Sequence, residues 1–589
     1  MHAEINARER DSLFPALTVE VALYVALVGA SLCWRLFALG DAPLASDEAR
    51  QALAAWNFLR GVPDAYVGSS LLYVGSSLPF TGDFVLFALF GASDSVARVL
   101  PALFGSALVL APLFFRRELG QVGAVIASVL LVFSPSLLFF ARTADAAILA
   151  LTCALYAVVC ARIYFEHANV RALNLAALFA ALALLAGSEL WIFIFAISIV
   201  LFAKLQRGEK FDLTEKYADL ARAGLLFLVT FVGAGTILFL RRDGLGAAID
   251  ALGNWFRLGN PANILGMLAL YEPLILLGGV AGIAQTIRVA RASENYFQVS
   301  LAGAIVLTFL LNSFGLFRQS AQIVNLIAPL IFFAARWIGD WVMRIMNALS
   351  EWEEERATLT AQAALFLLAS VLIIFVYFVL AEFTARGNVV AFDFFTRGVE
   401  GGNSTGLLIV LLAFGAMGAV ALMAIASVGV WRAQNIATAL IIFWLSVWSV
   451  RQSAMLNFLP RNVNELYVDR AASSNVRDLM RDVADISRWR ANDTRTLNLN
   501  VDESLGAIAA WNLRDQVNAK IIAHPALDPQ TQAELLSINA PAPAPAWIFQ
   551  RYQLEILRGA PPTNFLRWLI FRDGGVASYT SAVLWAPSP

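Results

Sequence analysis

The chain has 589 residues, of which 59% are apolar and only 14% are charged. Soluble domains contain about 45–50% apolar and about 25% charged residues, so this composition excludes a soluble protein. The 42 basic and 43 acidic residues give a net charge of −1, and no basic excess indicates nucleic-acid binding. Cys33, Cys153 and Cys160 lie in apolar runs without metal-ligand spacing, so we expect neither a disulfide framework nor a zinc site.

Apolar runs long enough to cross a bilayer recur from about residue 18 to about residue 450. The polar residues 1–15 lack a small-residue cleavage pattern, so we expect the first run to be a retained membrane helix. The sequence therefore predicts a polytopic α-helical membrane protein. Its transmembrane helices, about thirteen in number, are expected near residues 18–39, 97–115, 121–140, 146–164, 172–186, 190–204, 223–240, 263–289, 297–314, 320–337, 361–382, 404–430 and 434–450.

Basic residues indicate the side of each loop, because short loops rich in Lys and Arg stay in the cytoplasm. Lysines cluster within residues 204–216, which we place inside. Pro79 and Asp83 interrupt residues 66–92, so we interpret this stretch as a re-entrant or interfacial helix and not as a span. With this choice the Arg-rich loops all fall inside, the N-terminus is cytoplasmic, and an odd number of spans places the C-terminus outside.

Two domains are expected. Residues 1–450 form a multi-span module whose first outer loop, residues 40–96, contains an amphipathic helix at residues 46–60. After residue 451 the composition becomes polar, and alternating runs flank helical patterns. We therefore predict that residues 451–589 form a soluble extracytoplasmic α/β domain.

Asp47 and Glu48 are adjacent carboxylates at the start of the amphipathic helix in the first outer loop. They admit a structural interpretation, in which Ser46 caps the helix and both acids complement its dipole. They also admit a catalytic one, in which one carboxylate removes a proton from an acceptor hydroxyl and the other orients it or holds a cation.

A second acidic residue, Asp145, follows Arg142 at the outer end of the third span. A structural alternative is again open, because Thr143 could cap the next helix with Asp145 in its first turn. The predicted topology places Asp47, Asp145 and Glu189 on the same face of the membrane. Ionisable groups at membrane depth are costly, which makes them candidates for function.

Arginines of the same face supply positive charge for a phosphate group. Arg98 and Arg318 could each pair with a phosphate, or extend to lipid headgroups. No GxGxxG, Walker or Asp-x-Asp motif occurs, so a cytosolic nucleotide is not the expected substrate.

Several short motifs occur in an order that resembles the GT-C glycosyltransferases. They are Ser46-Asp47-Glu48-Ala49, Gly61-Val62-Pro63-Asp64-Ala65-Tyr66, Phe90-Gly91-Ala92-Ser93-Asp94 with Arg98, Pro101 and Gly105, Arg117 with Leu119-Gly120, Ser134-Pro135-Ser136, and Arg142 with Asp145. Within this superfamily the chain is similar to the dolichyl-phosphate-mannose protein mannosyltransferases and to the lipid A aminoarabinose transferase. It most resembles a prokaryotic branch labelled "flippase activity-associated". Three further motifs are similar to that branch, namely Tyr271-Glu272-Pro273, Ala510-Trp511-Asn512-Leu513-Arg514-Asp515 and Phe565-Leu566-Arg567-Trp568.

The resemblance implies an outer-face cavity that binds a polyprenyl-phosphate sugar in the plasma (inner) membrane of a prokaryote. It implies that Asp47 acts as base or cation ligand, that Asp145 is the second acidic position and that Arg318 is a basic position. A divalent cation, Mg²⁺ or Mn²⁺, at Asp47 and Asp145 is a further expectation. Glu189, Tyr271 and Glu272 are expected to line the cavity.

We therefore expect an inverting glycosyltransferase. Asp47 would deprotonate the acceptor with help from Glu48 or Asp145, and Arg318, with Arg98 or Arg142, would neutralise the departing phosphate. The acceptor, whether glycan, lipid or protein, stays open. The alternative is a non-catalytic accessory protein or a lipid-linked sugar flippase, because Ala45-Ser46 stands where the related branch carries a histidine before its Asp-Glu pair.

Overall fold

A computed structural model describes most of the chain. The described residues are 19–62, 76–187, 217–241, 245–246, 263–290, 302–303, 305–308, 310, 320–350, 356–385, 404–459, 465–468, 470–523, 531–538, 547–558, 565–572 and 577–587. Packing divides the chain into two compact units. The first is Met1–Leu39 with Val74–Val342, and the second is Gly40–Tyr73 with Met343–Pro589. The predicted domain boundary between residues 450 and 451 stays a prediction.

The described residues form helices along most of their length. In chain order these are α1 Val19–Leu36, α2 Ser46–Leu59, α3 Ser77–Phe90, α4 Asp94–Leu108, α5 Arg116–Phe133, α6 Pro135–Ala141, α7 Ala147–His167, α8 Val170–Ala186, α9 Tyr217–Gly235, α10 Ile264–Tyr271, α11 Pro273–Ala290, α12 Val324–Ser350, α13 Arg356–Ala385, α14 Ser404–Val428, α15 Val430–Phe458, α16 Asn475–Ala491, α17 Gly506–Asn512 and α18 Phe565–Phe571. Short 3-10 helices lie at Ala111–Phe115, Ser320–Ile323 and Glu503–Leu505.

The protein is a multi-pass membrane protein. Within the described residues, 8 helical stretches are long and apolar enough to cross a bilayer when Asp94–Phe133 is counted as one. The number rises to 9 if α10 and α11, which meet at 105°, form one bent span. The predicted number of about thirteen is not tested, because the predicted span 190–204 lies outside the described residues and 297–314 is described only in part. Residues 77–90 form a helix of 14 residues, too short to cross by the criterion that the 8 helices meet.

The apolar stretch Asp94–Phe133 reverses direction. Gly120 has φ 74° and ψ 163°, which breaks the helical path within α5. The Ser128 hydroxyl donates to the Val109 carbonyl at 2.8 Å. In one straight helix these residues would lie about 28 Å apart at 1.5 Å per residue, so the chain forms two antiparallel segments. This agrees with the two spans that the sequence predicts here.

Glycines allow close contact between α11 and α12 in the first unit. A Cβ atom added at Gly282 would lie 2.2 Å from the Phe333 carbonyl oxygen, and one at Gly278 would lie 3.0 Å from the Ala334 Cβ. The spacing of these two glycines is the small-xxx-small pattern that brings membrane helices into backbone contact. Side chains at these positions would therefore separate the two helices.

The second unit contains a six-stranded sheet, which confirms the predicted C-terminal α/β architecture. Its strands are β1 Arg470–Ala472, β2 Leu499–Asp502, β3 Lys520–Ile522, β4 Ala533–Ser537, β5 Trp547–Arg558 and β6 Ala577–Pro587. The order across the sheet is β1-β5-β6-β4-β2-β3, with β2 parallel to β3 and β4 and the other pairs antiparallel. Buried apolar residues of the central strands, such as Leu535 and Val501, form the core.

Polar contacts attach α18 to the last span within the second unit. Arg572, at the end of α18, is 3% exposed and pairs with Glu465 at 2.8 Å, and it also donates to Gln452 on α15. Arg451 on α15 donates to the Ile570 carbonyl at 2.5 Å. A buried arginine whose donors are satisfied by a carboxylate and an amide fixes its neighbours in one geometry, so these contacts hold the end of α18 against α15.

Candidate active site

The first loop carries Asp47 and Glu48 on α2, and the two carboxylates have different environments. The Asp47 side chain is 89% exposed and lies 3.5 Å from the Arg50 guanidinium, one turn along the helix. Glu48 is 7% exposed, and its Oε2 accepts a hydrogen bond from the Ala45 backbone N–H at 2.9 Å. This is one half of a capping box, so Glu48 stabilises the start of α2. Asp47 is the carboxylate that a ligand can reach.

The C-terminal sheet domain holds α2 in place within the second unit. Buried residues of α2, including Ala49, Ala52 and Leu53, lie on one face, and α2 packs on α17. Arg477 on α16 donates to the Gly40 carbonyl at 2.7 Å and to the Asp41 carbonyl at 2.5 Å. The loop that carries Asp47 is therefore folded against elements some 430 residues away in sequence.

A third carboxylate, Glu555 on β5, lies near Asp47. Glu555 is 8% exposed. The pKa of Glu555 is raised, and burial of its carboxyl group is the largest cause. The positive charges of Arg470 and Arg50 act to lower the pKa, and the negative charge of Asp47 acts to raise it. The second unit thus gathers two carboxylates and two guanidinium groups from α2, β1 and β5. The local sequence does not mark Glu555 as a site residue, because only the pairing of β5 with β1 brings it close to α2.

In the first unit, Asp145 lies just before α7 and is half-buried. Its Oδ1 accepts a hydrogen bond from the Ala147 N–H at 2.7 Å, while the Thr143 hydroxyl donates to the Phe139 and Phe140 carbonyls at 3.3 Å. The alternative in which Thr143 caps this helix is therefore wrong, because Asp145 accepts from the first turn. The placement of Asp47 and Asp145 in one cavity stays a prediction.

Arg142 binds the carbonyl end of α1. Its guanidinium donates, at distances from 2.6 to 3.4 Å, to the carbonyl oxygens of Trp34, Arg35, Phe37 and Ala38. These carbonyls lie in the last turn of α1 or just after it, where a helix leaves carbonyl groups without intrahelical donors, so the arginine satisfies them and complements the helix dipole. Its predicted role in binding the donor phosphate stays a prediction.

Arg98 lies close to the same segment. It is 1% exposed, and its Nη1 donates to the Leu39 carbonyl at 3.1 Å. A residue this enclosed does not extend into lipid headgroups. Arg98 and Arg142 therefore place two positive charges around residues 34–39, immediately before the first loop.

Arg35 on α1 was not among the predicted site residues, and it is 0% exposed. Its guanidinium donates to the Ser31 hydroxyl at 2.5 Å and to the Leu131 carbonyl at 3.0 Å. A Cβ at Gly105 would lie 2.9 Å from its Nε. The sequence did contain a signal for Arg35, namely an arginine inside an apolar span, because a charged side chain in hydrocarbon is costly and is a candidate for function.

Tyr271 and Glu272, predicted to line the cavity, are both 0% exposed at the bend between α10 and α11. Glu272 Oε1 accepts from the Ser134 hydroxyl at 2.6 Å and from the Ser136 N–H at 3.0 Å. This carboxylate therefore fixes the start of α6, the helix that leads to Arg142.

Two predicted site residues, Glu189 and Arg318, lie outside the described residues. Within the part of the chain that the structure describes, no three or more His, Cys, Asp or Glu side chains are grouped so that they could hold a metal ion. Asp47 and Asp145 already contact Arg50 and the Ala147 N–H, so the described residues provide no assembled ligand set. The Mg²⁺ or Mn²⁺ ion stays a prediction, and no step below passes through it.

Comparison with solved structures identifies the fold. The crystal structure of ArnT from Cupriavidus metallidurans bound to undecaprenyl phosphate matches with a TM-score of 0.50 at 15% identity, over 86% of this chain and 86% of that chain. The apo state of the same protein matches with a TM-score of 0.49 at 13% identity, over 84% and 85% of the chains. An Archaeoglobus fulgidus oligosaccharyltransferase in the apo form matches with a TM-score of 0.46 at 12% identity, over 86% and 65%.

The chain has the GT-C fold. At this level of identity, the likeness to the ArnT complex establishes the fold alone. No protein-family model matches the sequence, and no curated protein matches it significantly.

Proposed function

We propose that this protein is a membrane glycosyltransferase that moves a sugar from a polyprenyl-phosphate donor to an acceptor. In this proposal it works at the outer face of the plasma (inner) membrane of a prokaryote, with a cytoplasmic N-terminus and an extracytoplasmic C-terminal domain. The observation that carries the proposal is the GT-C fold, matched over 86% of the chain to a structure with bound undecaprenyl phosphate.

The chemistry needs one base and one anion-binding group. The acceptor oxygen forms a bond to the anomeric carbon of the sugar, and the bond from that carbon to the phosphate oxygen breaks. The acceptor proton goes to a carboxylate, and polyprenyl phosphate leaves as an anion. We assign the proton to Asp47 because its side chain is 89% exposed, whereas Glu48 is occupied at the start of α2.

The leaving phosphate needs positive charge. Arg98 and Arg142 supply two guanidinium groups near residues 34–39, and Arg318 is the third candidate from the sequence. Backbone carbonyls orient the first two, so their charge is fixed before a phosphate arrives. Preorganised charge of this kind lowers the cost of stabilising a leaving anion.

Substitution of the two acids tests this proposal. Asp47→Asn and Asp145→Asn variants would each be expressed in a strain that lacks the gene, and glycans of the cell envelope would be measured by mass spectrometry. We expect Asp47→Asn to lower the sugar product at least 100-fold, because loss of a general base typically costs a factor of about 10² to 10⁴. Asp145→Asn should also lower the product, because Asp145 is the second acidic position of the proposed site. Asp485→Asn is the control, since Asp485 is exposed on α16 and, among the described residues, forms an ion pair with its neighbour Arg488 at 3.1 Å.

Normal product from both variants, with each protein present in the membrane at wild-type level, would remove the transferase assignment. Movement of labelled lipid-linked sugar across proteoliposomes by those same variants would instead support the flippase alternative.

A further inference from the structure

Strand β5 is irregular beside β1, the strand that α2 contacts, at the point where Glu555 pairs with Ala472. Gln553 pairs with Ser581 and Glu555 pairs with Thr580, so Leu554 is one extra residue in β5. Such a bulge bends a strand and redirects the next side chain, and bulges are frequent beside active sites. Here the residue that follows the bulge is Glu555, the carboxylate near Asp47.

Glu555 has an acceptor atom without a donor. Its Oε1 is fully buried, and among the described residues no N–H or O–H group reaches it. A buried carboxylate oxygen without a hydrogen bond is costly, and such atoms are rare in native proteins unless a ligand, a water molecule or a proton satisfies them.

Arg50 has a complementary atom without an acceptor. Its Nε is buried and has no hydrogen-bond partner among the described residues, although its Nη1 lies 3.5 Å from Asp47. Arg50 lowers the pKa of Glu555, so the two side chains interact, but they do not hydrogen-bond. One unsatisfied acceptor and one unsatisfied donor therefore belong to the same small group of residues.

A hydroxyl group is the ligand that suits an acceptor and a donor together, because it donates one hydrogen bond and accepts others. An ammonium group has no lone pair for Arg50, and a carboxylate or phosphate has no proton for Glu555. Asp47, which interacts with both residues, is the proposed base for the attacking hydroxyl. The bound hydroxyl would then be a second one on the same acceptor.

We propose that Glu555 and Arg50 bind a hydroxyl group of the acceptor beside Asp47, and that the acceptor is therefore a saccharide with at least two hydroxyl groups. This inference rests on the proposed transferase function and specifies its acceptor. It also makes the C-terminal domain part of the acceptor site, because Glu555 belongs to the sheet. An acceptor with a single hydroxyl, such as a serine or threonine side chain, has no group for Glu555.

Two conservative variants test the proposal in the full-length protein. Glu555→Gln removes the charge and halves the acceptor capacity of the side chain, and Arg50→Lys keeps the charge but removes Nε. The matched control is Glu534→Gln, since Glu534 on β4 is 2% exposed, also has an unpartnered oxygen, and interacts with Asn500 and not with Asp47. All variants would be expressed in the deletion strain for glycan mass spectrometry. Each purified protein would also be assayed in nanodiscs for thermal stability and for binding of undecaprenyl phosphate.

We expect Glu555→Gln and Arg50→Lys to lower the sugar product about 10-fold to 100-fold, the effect of one hydrogen bond to a charged group. Undecaprenyl phosphate affinity and melting temperature should stay at wild-type values, and Glu534→Gln should yield normal product. Normal product from Glu555→Gln would overturn the inference, and so would a parallel loss of undecaprenyl phosphate binding or of stability. Normal product from Asp47→Asn would instead overturn the proposed function, so the two failures are distinguishable.

Discussion

At the scale of single residues, Asp502 shows how this protein stabilises a buried carboxylate. Its Oδ1 accepts from the Ser504 N–H at 2.9 Å and its Oδ2 from the Ser537 N–H at 3.2 Å, at the ends of β2 and β4. Burial acts to raise the pKa of Asp502, but the hydrogen bonds from Ser504 and Ser537 outweigh it, and the pKa lies below its usual value.

The lowered pKa predicts a pH-dependent contribution to stability. The contribution is complete above about pH 4, the pKa of an unfolded aspartate, and it disappears as the pH falls through the lower pKa of the folded state. Asp502→Asn should therefore reduce the free energy of opening of β2 by about 1–3 kcal/mol at pH 7, because one backbone amide loses its acceptor. Hydrogen exchange of residues 499–502 in the full-length protein measures this value, and the difference from wild type should shrink at pH 3. Identical exchange rates in wild type and Asp502→Asn at pH 7 would contradict this prediction.

Single residues of the site were predicted from the sequence with uneven success. Asp47 and Asp145 stood out because carboxylates are rare in an apolar chain, and both lie at helix starts, where the motifs placed them. The local sequence gave no sign of Glu555, because its neighbours come from a bulged strand pair and from a helix 508 positions away. Pairing over such distances is set by tertiary structure and not by local pattern.

At the scale of elements, hydropathy predicted most helices well. A bilayer requires about 20 apolar residues per crossing, so the α7, α13 and α14 segments are recognisable from composition alone. The reversal at Gly120 was also predicted, since it lies between two apolar runs. The bend between α10 and α11 was not predicted, although Glu272 and Pro273 interrupt the run 263–289 at that point. A proline indicates where a helix breaks, but the 105° angle depends on packing against other helices.

The α11–α12 contact leads to a prediction about two glycines. Gly282→Ala should destabilise the protein by about 1–3 kcal/mol, because its Cβ would lie 2.2 Å from the Phe333 carbonyl oxygen and the helices must separate. Gly415→Ala in α14 is the matched control, since nothing lies within 4 Å of its added Cβ. That variant should be neutral or more stable by up to about 1 kcal/mol, the gain in helix propensity. Thermal unfolding in nanodiscs measures both, and equal melting temperatures would contradict the close approach of α11 and α12.

At the scale of the whole molecule, contacts group the chain differently from its order in sequence. The first loop, which lies between α1 and α3, belongs to the same compact unit as the sheet near the C-terminus. The boundary predicted near residue 450 rests on a change in polarity, which reports on the surrounding medium, and it stays a prediction. The helix that carries the proposed base is thus supported by a domain that begins some 400 residues later.

This long-range support predicts that damage to the sheet domain releases the first loop. Trp511 is 0% exposed on α17, the helix on which α2 packs. Trp511→Ala should cost about 3–5 kcal/mol by leaving a cavity, and amide exchange of residues 46–59 should accelerate together with that of residues 506–512. Trp489→Ala is the control, because Trp489 is 60% exposed on α16 and its loss leaves no cavity. If α17 exchanged faster while α2 kept its wild-type rate, the sheet domain would not be what holds Asp47 in place.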